Sequence, residues 1–245
     1  MALPNHRTTS YSGYFPKGVK WLIVVNTLLY VAQYLGGRAV QSNLQVLSLV
    51  PDWVVHKFPF FIWQLFTYMF LHGGLTHLLF NMLALWMFGT PIERDWGTRR
   101  FLKFYFLCGI AAGVCDVTLH AVLGQWGTST IGASGAIYGV LVAFGVLYPD
   151  ATVLAGFLFP IKAKYMVMIY AGIELLLSIG PNTGVSSIAH LGGMAFGYLY
   201  LKRSLPNVPM PDIGGAYRQW RLARAKKKFQ VYMRNRGSGR GPWVN

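Results

Sequence analysis

Long apolar stretches separated by short polar ones run along the chain from about residue 19 to residue 204. Six of them, near 19–37, 73–92, 101–122, 132–148, 165–180 and 186–204, approach the roughly 20 residues that a helix needs to cross a bilayer. They predict an all-α polytopic membrane protein with six transmembrane helices. Residues 38–72, between the first and second stretches, are themselves rich in Trp, Phe and Leu ("FPFFIWQLFTYMFLH"), which predicts an amphipathic loop embedded partly in the membrane. The pattern divides the chain into a polar segment at 1–18, a helical domain at 19–204 and a basic tail at 205–245. No small-residue cleavage site closes the first apolar run, so it is read as a retained helix.

Composition supports the membrane reading: 54% of the 245 residues are apolar and 12% charged, about half the charge of a soluble domain. The net charge of +15 would suggest nucleic acid in a soluble protein, but eleven of the 22 basic residues follow Leu201. The tail "YRQWRLARAKKKFQVYMRNR" (217–236) interleaves basic and aromatic residues. Attraction to anionic lipid headgroups is its first reading and nucleic-acid binding the weaker one. Pro206, Pro209 and Pro211 mark the linker ahead of it. With the N-terminus inside, the cytoplasmic side receives Arg7, Lys17, Lys20, Arg94, Arg99, Arg100, Lys103, Lys162, Lys164 and the tail, against Arg38 and Lys57 outside. Cytoplasmic loops carry the excess of Lys and Arg, so both termini are placed in the cytoplasm. Cys108 and Cys115 lie seven residues apart, about 10 Å along a helix, too far for a disulfide, and read as buried packing thiols.

Polar side chains inside such segments are costly and need an account. In this topology the second, fourth and sixth helices all start at the outer face. His77, Ser134 and His190 each fall near one of those starts, within about 3 Å of depth at 1.5 Å per residue. Gly135 and Gly139 on the fourth helix, and Gly193 and Gly197 on the sixth, have the spacing that lets two helix backbones meet. If those faces pack together, Ser134 and His190 are placed to touch. Histidine is the usual base that activates a serine hydroxyl. The Ser134 N–H at a helix start, with His77 and Asn81 at i and i+4 on one face, could then hold an oxyanion.

Other polar residues carry plainer expectations. Asp116 could orient a histidine, with a capping or interhelical bond the stronger reading; Glu174 reads as a structural partner of neighbouring helices. His72 reads as a loop residue at the interface, and His120 as lying near an aqueous end. "GASGA" lacks the last glycine of the G-x-S-x-G elbow and follows no strand. His72 and His77 have no carboxylate between them of the kind a zinc helix carries, so a metal is disfavoured.

Four stretches, "FLHGGLTHLLFNMLAL" (70–85), "ERDWG" (93–97), "GASGAIYG" (132–139) and "AHLGGMAFG" (189–197), resemble in order and spacing the rhomboid family of intramembrane serine proteases. The resemblance covers about residues 15–204. It implies the six-helix rhomboid bundle, a Ser134–His190 dyad without a required acid, oxyanion support from His77 and Asn81, and Tyr138 packed beneath the His190 ring. It implies that Glu93 and Arg94 stabilise the inner end of the second helix. It further implies a multi-pass protein of a bacterial inner membrane that needs no cofactor and cuts transmembrane protein substrates near their outer ends. The family's common Trp-Arg pair in the first loop is here Trp63-Gln64. The rival readings are an inactive rhomboid-like protein that binds membrane helices, and a transporter whose His77, Ser134 and His190 line a path.

Overall fold

The computed structural model describes residues 15–37, 44–155, 159–179, 185–204 and 213–237. Arg7, Arg38 and the Pro206, Pro209 and Pro211 linker lie outside them, as do both outer segment ends. Two compact units form, Met1–Pro206 and Asn207–Asn245. In the first, α1 is Lys17–Leu35, α2 Pro51–His56 and α3 Gln64–Thr67. A longer helix, α4, runs over Leu75–Trp96, followed by α5 Thr98–Val122, α6 Ser134–Leu147, α7 Ala163–Ile179 and α8 Val185–Ser204. The second unit holds α9, Ile213–Gly237, whose side chains from Arg221 to Met233 are all exposed.

One departure from the all-α expectation is small: Thr152–Ala155 (β1) and Phe159–Lys162 (β2) pair antiparallel, Thr152 opposite Lys162, between α6 and α7. A connection this short, with Val153, Ile161 and Phe159 along it, satisfies its backbone as a hairpin.

By length and apolar composition α1, α4 and α5 can cross a membrane, while α6 is apolar but shorter. The membrane setting is also written on the surface. Trp21, Leu28 and Leu35 of α1, Leu79 and Phe80 of α4, and Met168, Ile169, Leu176 and Ile179 of α7 are all exposed, far more apolar surface than a water-facing helix presents. Helix α6 is the opposite case: ten of its 14 residues are buried, because α4, α5, α7 and α8 surround it. At 1.5 Å per residue it is about 21 Å long, short of a hydrocarbon core of about 30 Å. Its first residue therefore begins inside the bundle.

Small residues set the packing distances. A Cβ on Gly193 would lie 2.0 Å from the Gly135 carbonyl oxygen, and one on Gly197 would lie 3.0 Å from Gly139 Cα. The α8 backbone thus rests on that of α6. On the other side of α6, Cβ atoms on Gly135 and Gly139 would meet Ala112 Cβ at 2.6 Å and Cys108 Sγ at 2.5 Å on α5. Cys108 is buried as expected, but Cys115 is exposed, since its turn of α5 reaches the bundle surface.

Glu93 ties the first two long helices together. Its carboxylate accepts the Gly18 and Val19 N–H groups at 2.7 Å each, and the Thr98 hydroxyl at 2.6 Å. Two orphan donors of the first turn of α1 are thereby satisfied from α4. Midway along α4 the helix widens into a π-turn at Leu85–Gly89. Pro91 follows, which lacks an N–H and whose ring crowds the carbonyl of Met87.

The loop between α1 and α4 is tied to itself through the Trp63-Gln64 pair. Gln64 is wholly buried; its amide donates to the Val46 carbonyl at 3.1 Å and accepts from Val50 N–H at 3.0 Å. Trp63 Nε1 donates to the same Val46 carbonyl, and the Thr67 hydroxyl bonds that of Leu47. Leu49 and Thr130 exchange backbone bonds of 3.0 and 2.9 Å. Phe58, Phe60, Ile62 and Trp63 remain exposed, the apolar face expected of a membrane-seated loop.

Gly193→Ala, measured by unfolding in detergent, is expected to cost about 1–3 kcal/mol through overpacking against α6, and Gly197→Ala less, its contact being looser. Glu93→Gln, which keeps the shape and loses the charge, is expected to cost roughly 1–3 kcal/mol by leaving α1 donors undersatisfied.

Candidate active site

Ser134 is the first residue of α6 and Ala133 its N-cap, so the first-turn N–H groups around it have no partner within the helix. His190 is the sixth residue of α8 and His77 the third of α4. These helices do not start level, as a common outer boundary would have it; α8 begins above α6, and the stagger brings the side chains to one place. His190 Nε2 and Ser134 Oγ are 2.7 Å apart. This contact spans 56 residues of sequence and sits just above the turn where Gly193 meets Gly135. A serine hydroxyl facing an imidazole nitrogen at hydrogen-bonding distance is the arrangement that proton removal requires.

The ring is held from below. Tyr138, one turn into α6, stacks on His190 with centroids 4.2 Å apart and planes 19° from parallel. The Tyr138 hydroxyl donates to Glu174 Oε1 of α7. The same carboxylate oxygen lies 3.1 Å from His190 Nδ1. Its geometry falls short of a formed hydrogen bond to Nδ1.

On the other side of Ser134, Gly132 has φ +127°, a region that favours glycine. Its N–H donates to the Tyr68 carbonyl at 2.9 Å. A Cβ there would stand 2.9 Å from His77 Nε2 and 3.7 Å from Ser134 Oγ, so the glycine leaves the His77 ring beside the serine. Asn81, one turn below His77, is buried, and its Nδ2 has no partner among the described residues. It is a donor available within the bundle.

Asp116 is wholly buried, and its Oδ2 lies 3.4 Å from His120 Nδ1 on its own helix. Glu174, expected as a structural partner of neighbouring helices, meets Tyr138 of α6 and also reaches His190 of α8. His120 and His72 are buried, each about 2% exposed; His72 packs edge-on against His77, and His120 Nδ1 lies 2.8 Å from the Asp116 carbonyl. Burial and the neighbouring His77 lower the pKa of His72, in the loop ahead of α4, to about 4, which keeps that ring neutral. Among the described residues no cluster of three or more His, Cys, Asp or Glu could hold a metal.

Sequence reasoning passed over Gly132, although a glycine two residues before a serine at a helix start was a usable signal. It also did not bring Glu174 to the histidine, since distances between α5, α7 and α8 are not legible in spacing.

A polytopic helical bundle that presents a serine and a histidine to each other below its outer surface defines the class. Residues 59–206 match the Rhomboid domain, more than half of the chain, and the protein belongs to the rhomboid family. It is a multi-pass membrane protein. It is 35% identical over 139 residues to Rhomboid protease GluP of Bacillus subtilis (strain 168), covering 56% of this chain and 25% of that one. It is 34% identical over 147 residues to RHOMBOID-like protein 1 of Arabidopsis thaliana, covering 60% and 35%. With Rhomboid protease AarA of Providencia stuartii it shares 28% identity over 208 residues, 73% and 69% of the two chains. The chain thus spans between a quarter and about a third of the length of the first two relatives.

Gly132→Ala is expected to slow alkylphosphonylation of Ser134 by a fluorophosphonate probe by at least about tenfold through displacement of His77 and the serine turn. The helical circular dichroism should stay unchanged, and the rate of probe incorporation checks it.

Proposed function

We propose that the protein is an intramembrane serine endopeptidase that hydrolyses peptide bonds in or beside transmembrane segments of other membrane proteins. The observation that carries the reading is the 2.7 Å contact between Ser134 Oγ and His190 Nε2, made between two helices inside an apolar bundle. The names of its relatives as rhomboid proteases point the same way.

In this reading His190 Nε2 takes the Ser134 proton as Oγ attacks the scissile carbonyl carbon. The oxygen of the tetrahedral intermediate is received by the Ser134 N–H, with His77 and Asn81 as side-chain donors. His190 then gives its proton to the leaving amine, and the acyl-enzyme remains on Oγ. Water reaching the site from the outer face is deprotonated by His190 in turn, attacks the acyl carbon and frees Ser134. Tyr138 holds the imidazole plane throughout. Gly135, Gly139, Gly193 and Gly197 keep the two reacting helices at the distance the chemistry needs.

Residues 19–204 form the protease domain in this proposal, crossing a bacterial inner membrane six times with both termini in the cytoplasm, as the distribution of Lys and Arg supports. The basic tail, 205–245, then lies against anionic lipid, where Arg224 over the Trp220 ring at 5.1 Å pairs a cation with an interfacial aromatic.

Purified protein in liposomes is expected to cut a model transmembrane substrate, and Ser134→Ala and His190→Ala each to lose about 10³-fold or more of the rate while staying folded. Cleavage that survives Ser134→Ala overturns the nucleophile assignment; binding without cleavage by the parent chain on several substrates would instead establish a helix-binding protein.

A further inference from the structure

Glu174 calls for an explanation of its own. It lies in the C-terminal half of α7, an apolar helix whose exposed residues include Met168, Ile169, Ile173 and Leu176, and it is itself only 5% exposed. A carboxylate placed there is expensive and needs compensating partners. Two are present, and both belong to the proposed site: the Tyr138 hydroxyl, which donates to Oε1, and His190 Nδ1, 3.1 Å from the same oxygen. The second oxygen, Oε2, has no partner among the described residues. Tyr138, Glu174 and His190 therefore form a closed triangle from three helices. The base is contacted on its Nε2 by Ser134, on its face by the Tyr138 ring, and on its Nδ1 side by a carboxylate.

We propose that Glu174 is a positioning residue for His190 and the negative counterpart of the imidazolium that forms when His190 takes the Ser134 proton. The proposal rests on the Ser134–His190 reading and adds to it. When Ser134 attacks, the Oγ–H bond breaks, the Nε2–H bond forms, and the ring acquires a positive charge. That charge develops in a partly buried site, where a carboxylate at 3.1 Å is screened less than in bulk water. Because its geometry falls short of a formed hydrogen bond to Nδ1, its first contribution is charge, with orientation shared by the Tyr138 stack. The other candidate acid, Asp116, has its Oδ2 3.4 Å from His120 Nδ1 on its own helix and has no contact with the His190 ring that would match that of Glu174 at 3.1 Å. Tyr138 gains a second function: its hydroxyl fixes the carboxylate that faces the ring it stacks on. An interhelical spacer would explain the burial of Glu174 but would give the carboxylate no reason to touch the base.

The test is Glu174→Gln in liposomes with the full chain, reading kcat and KM for a transmembrane substrate, the fluorophosphonate labelling rate of Ser134 and the unfolding temperature. Glutamine keeps the shape and the acceptor for Tyr138 and removes only the charge. The expected result is a fall of at least about tenfold in kcat and in labelling, with KM within about twofold and the unfolding temperature retained; removal of a group acting only in the transition state has this signature. Glu174→Asp, which restores the charge at a longer distance, should recover part of kcat. Unchanged kcat in Glu174→Gln, or a rise in KM alone, overturns the proposal and leaves Glu174 a structural residue. If Glu174→Gln fails to fold, Glu174→Asp decides: kcat reduced at unchanged KM supports the role, and parental kcat refutes it. Ser134→Ala run in parallel separates the two levels, since cleavage persisting there would refute the dyad itself, whatever Glu174 does.

Discussion

The bundle depends on one contact, the approach of the α8 backbone to that of α6. With no side chain on Gly193 the Gly135 carbonyl can come almost to its Cα, and Gly197 repeats the approach one turn lower on Gly139. Hydrocarbon tails offer no hydrophobic reward for bringing two apolar helices together, so close van der Waals fit has to hold them. The same approach fixes the histidine one turn above Gly193 over the first residue of α6. Stability and the geometry of the proposed site are therefore two readings of a single distance. Cys108 and Ala112 of α5 fill the other side of the same glycines, which locks the serine-bearing helix from two directions.

Around that contact each buried carboxylate lies beside a polar neighbour. Glu93 is answered by two N–H groups and a hydroxyl, Asp116 by His120, and Glu174 by Tyr138 and His190. Each carboxylate within the bundle thus has a task that an amide or an apolar residue would fill badly. The departure at Gln64 follows the same logic. A neutral amide satisfies one carbonyl and one N–H of the loop at once, which a longer charged side chain in a wholly buried place would do only with a counter-ion.

Much of this was legible in the chain. The apolar runs place six long helices to within a few residues, and the paired glycines and the polar residues near helix starts single out Ser134 and His190. The hidden parts have a common cause: sequence fixes depth along a helix but not the direction its neighbours turn. Glu174 read as a structural partner of neighbouring helices, and only the packing of α7 beside α8 shows that it also reaches His190. His72 and His120 read as residues near the membrane boundary, and their burial is set by tertiary packing, which no periodicity announces. Gly132 escaped notice for a similar reason, since its value lies in a backbone angle and in the ring of His77, far away in sequence.

The distance between Ser134 and His190 along the chain has a consequence for the life of the molecule. Helices enter a membrane in the order in which they are made, and Ser134 arrives on the fourth long helix while His190 arrives on the sixth. Until α8 docks on α6, the hydroxyl has no acceptor for its proton. On the proposed dyad, a half-made chain is harmless to the unfolded proteins crowded around it during insertion. On the same reading, the order of synthesis withholds the base until the fold is complete.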